Sequence, residues 1–103
     1  MNKLDTLKEY LAKSPDDNFL RHAMALEYIK LGNDTEARTL FEDILNRDPG
    51  YTGSYYHLGK LLEKMERPEE AIEWYERGMV ACQAAGDRHA FGELRGAYEE
   101  LTF

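Results

Sequence analysis

The side chains in this sequence with chemical potential are one cysteine, three histidines and a group of glutamates. A nucleophile needs a base beside it. Cys82 has no histidine near it in sequence and reads as a small residue near the end of a helix. A metal ion needs several ligands close together. His22, His57 and His89 lie far apart in sequence, with no paired spacing. Glu69, Glu70, Glu73 and Glu76 read as one solvated helix face rather than an acid–base pair. Gly92 and Gly96 suit a close helix contact, and no glycine loop able to cradle phosphate is present. Asp16-Asp17-Asn18 and Asn33-Asp34 read as helix caps and lack the spacing of a calcium loop. The expectation is therefore a protein that is not an enzyme, with no catalytic residue, no cofactor and no metal site.

What remains is recognition, and the overall composition narrows it. The chain of 103 residues is long enough for one domain. Its hydrophobic content of 43% and charged content of 32% suit a globular protein rather than a disordered one. A formal net charge of -7 argues against nucleic acid, where lysine and arginine on phosphates supply much of the affinity. The same charge argues against an anionic membrane surface. A single cysteine rules out an intramolecular disulfide. The first residues lack the apolar run of a signal peptide, and no stretch approaches the length of a membrane span. A cytoplasmic location is the default expectation, and the sequence could be a fragment of something larger.

The chain repeats. A shift of 34 residues lays Pro15 on Pro49, Ala25 on Gly59, Met24 on Leu58, Ala37 on Ala71 and Phe41 on Tyr75. Each period reads as two helices. The first pair spans about 18–31 and 34–47, with Asp17 or Asn18 as cap, Gly32 as the left-handed stop, and Asp48-Pro49 as the break. The next pair spans about 52–65 and 68–84. Pro68 followed by Glu69 and Glu70 makes a good first turn. Leu4, Leu7 and Leu11 add a short amphipathic helix in front, and Phe91, Leu94, Tyr98 and Leu101 one behind, capped by Asp87. About six helices result, with no run showing strand alternation.

These residues resemble the tetratricopeptide repeat family, in particular the small stand-alone members found in bacteria. The motif Tyr55-x-x-Leu58-Gly59-x-x-Leu62 with Ala71 and Tyr75 carries the resemblance. So does Arg21-x-x-Met24-Ala25-x-x-Tyr28 with Ala37, Phe41 and Pro49. The implied fold is all-α: a right-handed α-solenoid of antiparallel hairpins. The expected division of the single domain is 1–17 as a half-repeat helix, 18–51 and 52–85 as repeats, and 86–103 as a capping helix. Small residues stand where helices cross, so Ala25 should face Ala37 and Gly59 should face Ala71. At Gly59 any side chain larger than a methyl would intrude. Arg21 departs from the pattern, and its stem is expected to pack while its head reaches water. Arg95 stands where a small residue is usual, and "CQAAGDR" implies a lengthened helix.

The resemblance also implies a concave groove lined by the first helices, and with it a protein–protein interaction module. The groove residues expected on that basis are Phe19, His22, Leu26, Ile29 and Lys30, then Tyr56, Lys60, Glu63 and Lys64. His89, Gly92, Gly96, Glu99 and Glu100 are candidates on the last helix. Phe19, Leu26 and Ile29 form an apolar patch of the kind that marks binding surfaces. The lysines favour an acidic peptide or protein partner. The arrangement of asparagines that clamps terminal carboxylates in some relatives is missing, since Ala23, Leu26 and His57 stand near those places. The alternative is a structural or self-assembly role, in which Phe19, Leu26, Ile29 and Trp74 are buried in a homodimer, or the N-terminal helix folds over the patch.

Overall fold

A computed structural model describes residues 2–103. Six helices follow in order: α1 (Lys3–Lys13), α2 (Asn18–Lys30), α3 (Asp34–Arg47), α4 (Gly53–Lys64), α5 (Pro68–Ala85) and α6 (Arg88–Thr102). Three start at a side-chain cap, whereas Asn33 before α3 makes no such bond. The Asp17 carboxylate accepts from the Leu20 N–H at 3.1 Å, and Asp87 accepts from the Ala90 N–H at 3.1 Å. Pro68 opens α5 with Glu69 and Glu70 in its first turn. The lengthened helix read from "CQAAGDR" is present, since α5 runs 18 residues.

Three of the ends follow one rule. After α2, the left-handed Gly32 (φ 82°) lets the Asn33 N–H reach back to the Tyr28 carbonyl at 2.8 Å. Gly86 (φ 71°) does the same after α5, with the Asp87 N–H on the Cys82 carbonyl at 2.9 Å. One period after Gly32, Glu66 occupies the same conformation at φ 62°, with the Arg67 N–H on the Leu62 carbonyl at 2.8 Å. A side chain at positive φ is strained by about 1 kcal/mol or more. Glu66→Gly is therefore expected to raise stability by about 1 kcal/mol, a gain of about 4–8 °C in melting temperature. A lower melting temperature would show that the exposed Glu66 side chain contributes more than the strain removes.

Each helix packs on its neighbour in sequence, and α4 also touches α6. The molecule measures 44 × 29 × 19 Å, so its thin dimension holds about two helix diameters. Phe41, Leu58, Leu62 and Tyr75 are fully buried, each contributing about 1.5–3 kcal/mol by burial. The residue at Gly59 meets more than expected. A Cβ built there would stand 2.0 Å from Tyr75 Cε1, so even a methyl intrudes, and the decisive neighbour is Tyr75 rather than Ala71. Gly78 is a second close approach, where a Cβ would lie 2.7 Å from both Leu94 and Tyr55.

Two other expectations need correction. The Arg21 head does not reach water. It donates to the Pro15 carbonyl at 2.8 Å and to Asp43 at 2.8 Å, leaving the side chain 13% exposed. The reason lies in the repeat itself. One period later, the Tyr55 hydroxyl donates to the Pro49 carbonyl at 2.6 Å, so this position ties down the preceding turn in both hairpins. The close contact expected at Gly92 and Gly96 is not made within the chain, because both face open space.

Candidate functional site

The first helices of the two hairpins, α2 and α4, together with α6, present one face, and the side chains expected to bind a partner lie along it. Phe19 on α2 is 72% exposed and Leu26, two turns on, is 36% exposed. Helix α1 packs on α2 yet leaves Phe19 uncovered. Ile29 and Tyr56 are partly buried against the core, so the freely exposed apolar surface here is Phe19 and Leu26.

The charged members are differently placed. Lys60 lies 3.7 Å from Glu63 and 3.7 Å from Glu100, and Lys64 lies 3.2 Å from Asp34. Glu63 also accepts the Tyr75 hydroxyl, which ties this carboxylate to the fold. Burial, with that carboxylate beside it, pushes the Tyr75 phenol above its ordinary range. Lys30 is exposed and has no carboxylate within ion-pair distance among the described residues. His89 is almost fully exposed, 3.8 Å from Glu93.

The histidines are where reading by sequence distance failed. His22 and His57 meet across α2 and α4, ring centroids 5.1 Å apart and edge to face. His22 Nδ1 is 2.8 Å from the hydroxyl of Ser54, which is itself fully buried. Phe41 stands 5.4 Å from the His22 ring, and Tyr51 6.1 Å. The period could have revealed this, since His57 stands one residue past the position equivalent to His22 on the neighbouring first helix. Burial, reinforced by His57, lowers the His22 pKa to about 4. Burial lowers His57 too, with Glu93 opposing. Both rings are neutral at pH 7, so they offer hydrogen bonds and flat apolar surface rather than charge.

Cys82 is buried, and burial raises its pKa, which holds the thiol protonated and unreactive. Among the described residues no three metal-ligating side chains converge, and no helix is long and apolar enough to cross a membrane. The candidate site is thus a surface with an apolar knob at Phe19, a neutral aromatic floor, and lysines at one end.

Family models for the tetratricopeptide repeat match residues 17–51 and 52–79. A crystal structure of a tetratricopeptide repeat domain protein from Salinibacter ruber is 38% identical, with TM-score 0.79, covering 84% of this chain and 96% of that one. The chain belongs to the tetratricopeptide repeat family. Its fold is the helical-hairpin array of that family, and its repeats make it a protein–protein interaction module in the general sense. A TPR repeat-containing protein of Pseudomonas aeruginosa is 25% identical over 91 residues, covering 88% of this chain and 87% of its own length. The aspartyl/asparaginyl beta-hydroxylase of Mus musculus is 26% identical over 86 residues, and this chain spans only 12% of it. Within a tetratricopeptide repeat chain, α2 and α4 are the first helices of the two matched repeats, and α6 lies beyond the matched residues. Arg95, which stands where a small residue is usual in the family, is exposed, with its guanidinium 2.8 Å from Glu99.

Proposed function

We propose that the first-helix face holds a peptide or protein partner, and that the chain acts by recognition without chemistry. The observation that carries this reading is the exposed Phe19. Phe19, 72% open to water, joins Leu26 and the His22–His57 floor in an apolar patch of the kind that marks a binding surface. Apolar anchoring therefore supplies most of the affinity. Lys60 and Lys64 already face carboxylates of the chain, so they sharpen a preference for an acidic ligand only modestly.

The test compares the wild type with a Phe19→Ala/Leu26→Ala/Tyr56→Ala variant in capture from native lysate. The expected result is one or more bands lost with the variant, a fall in affinity of at least about tenfold, since aromatic anchors commonly contribute 2 kcal/mol or more. Undiminished capture by a folded variant would remove the reading. The same exposed phenylalanine also fits a homodimer. Sedimentation at several concentrations separates the two, because a dimer stable to dilution that hides Phe19 would replace the partner with a second copy.

A further inference from the structure

On the other side of the hairpins, between α3 and α5, lies a trough of about 460 Å³ that the first-helix face does not include. Its apolar lining comes from Leu45, Pro49, Trp74, Val80 and Ala81. It continues past Pro49 and Ala81 into a second hollow along Ala84 and Ala85. That second hollow follows the unequal length of the two helices. Helix α5 has 18 residues against 14 in α3, so its last turn runs on beside the 48–52 connection and leaves Ala84 and Ala85 exposed. The outer stripe of α5 changes character at the same place. It is acidic at Glu69, Glu73 and Glu76, then carries no charge from Val80 to Ala85, and Val80 is 68% exposed.

One cation stands at this trough. The Arg77 guanidinium lies over the Trp74 ring, 4.6 Å from its centroid, which holds the planar group in place. Arg21, Arg38, Arg47 and Arg95 all meet carboxylates of the chain. Arg77 meets none within ion-pair distance among the described residues, and Glu73, one turn earlier, does not reach it. In a chain with net charge -7, a fixed arginine whose donors are free is a ready partner for a carboxylate. A hollow of this size with an apolar floor and one convergent polar group is the usual form of a ligand site.

We propose that this trough is a second docking site, taking a segment of another protein in which an aspartate or glutamate is flanked by aliphatic side chains. The carboxylate binds Arg77, and the neighbouring aliphatic groups fill the space between Pro49, Val80 and Ala81. This site stands apart from the first-helix face, and its failure would leave that reading untouched.

Trp74 is the only tryptophan in the chain, so its emission reports directly on the trough. The experiment titrates the full chain with two blocked hexapeptides of leucine and alanine, one with a central glutamate and one with glutamine. The expected result is a saturable change in emission with the glutamate peptide, and binding about tenfold weaker for the glutamine peptide. Arg77→Gln should abolish that preference, Val80→Asp should weaken both peptides, and Phe19→Ala should change neither. Both Arg77 and Val80 are exposed, so folding is not at stake. The proposal is overturned by the absence of a saturable change, or by equal affinity for the two peptides. It is also overturned by loss of binding in Phe19→Ala, which would place the peptide on the other face. Self-association abolished by Val80→Asp would equally overturn it, making a second copy the occupant.

Discussion

Gly59→Ala is expected to destabilise the protein by about 1–2 kcal/mol, although alanine is the better helix former by about 1 kcal/mol. The added methyl would stand 2.0 Å from Tyr75 Cε1, 2.5 Å from Cζ and 2.7 Å from Cδ1. The Tyr75 ring cannot easily withdraw, because it is fully buried and its hydroxyl is held by the Glu63 carboxylate. Overpacking of this kind costs about 1–3 kcal/mol, and the leucine variant should lose more. A melt would show a fall of about 4–8 °C for each kcal/mol in a domain of this size. Gly92→Ala is the internal control. Nothing lies within 4 Å of that position, so the same substitution should stabilise by about 0.5–1 kcal/mol. If Gly59→Ala behaved like Gly92→Ala, the tight crossing between α4 and α5 would not exist in solution.

Acid is expected to weaken the fold before the carboxylates titrate. The folded pKa of His22 is about 4 against an ordinary value of 6.5, because burial and the His57 ring disfavour the charged form. Between those values the folded chain binds fewer protons than the unfolded one, so stability rises with pH across the window. The contribution of His22 is therefore complete above about pH 6.5 and is lost as the pH falls towards 4. His57 acts in the same direction, and Glu93 opposes it. The remaining groups against His22 are Ser54, Phe41 and Tyr51, none of which carries charge at these pH values. Asp87 stays ionised down to about pH 5, since the Ala90 N–H, with the Thr52 hydroxyl, holds its carboxyl below the ordinary value. His22 is only half buried, so water reduces the effect to about 1 kcal/mol between pH 7.5 and pH 5.0. Urea unfolding at the two pH values measures it. His22→Gln should flatten the difference, and an equal loss of stability in both proteins would show that His22 is not its source.

The helices were legible in the sequence because their ends are set by local chemistry. Asp17, Gly32, Pro68 and Asp87 each act on backbone groups within a few residues, and their types alone identify the function of each position. The repeat period then placed Ala25, Ala37, Gly59 and Ala71 at the crossings. Four features escaped because they depend on pairs distant in sequence or on backbone angles. The His22–His57 contact joins helices of different repeats. Glu66 takes a left-handed conformation that its residue type does not announce. The Arg21 head is drawn to the Pro15 carbonyl by the geometry of the turn, and Gly78 is explained only by Leu94 and Tyr55 arriving beside it. The stripe expected to bind a partner was readable as a helix face. Which of its members are free was not, because Lys60, Glu63 and Lys64 find counterparts on other helices.

The central claim is that a partner lies against Phe19 and Leu26. The most direct measurement is an NMR titration of the labelled chain with a captured partner, following the Phe19 and Tyr56 rings and the Leu26 methyls, with the Val80 methyls marking the trough. The Phe19, Leu26 and Tyr56 resonances should move together and saturate at a single affinity. A partner that binds while those resonances stay fixed would contradict the assignment of the first-helix face.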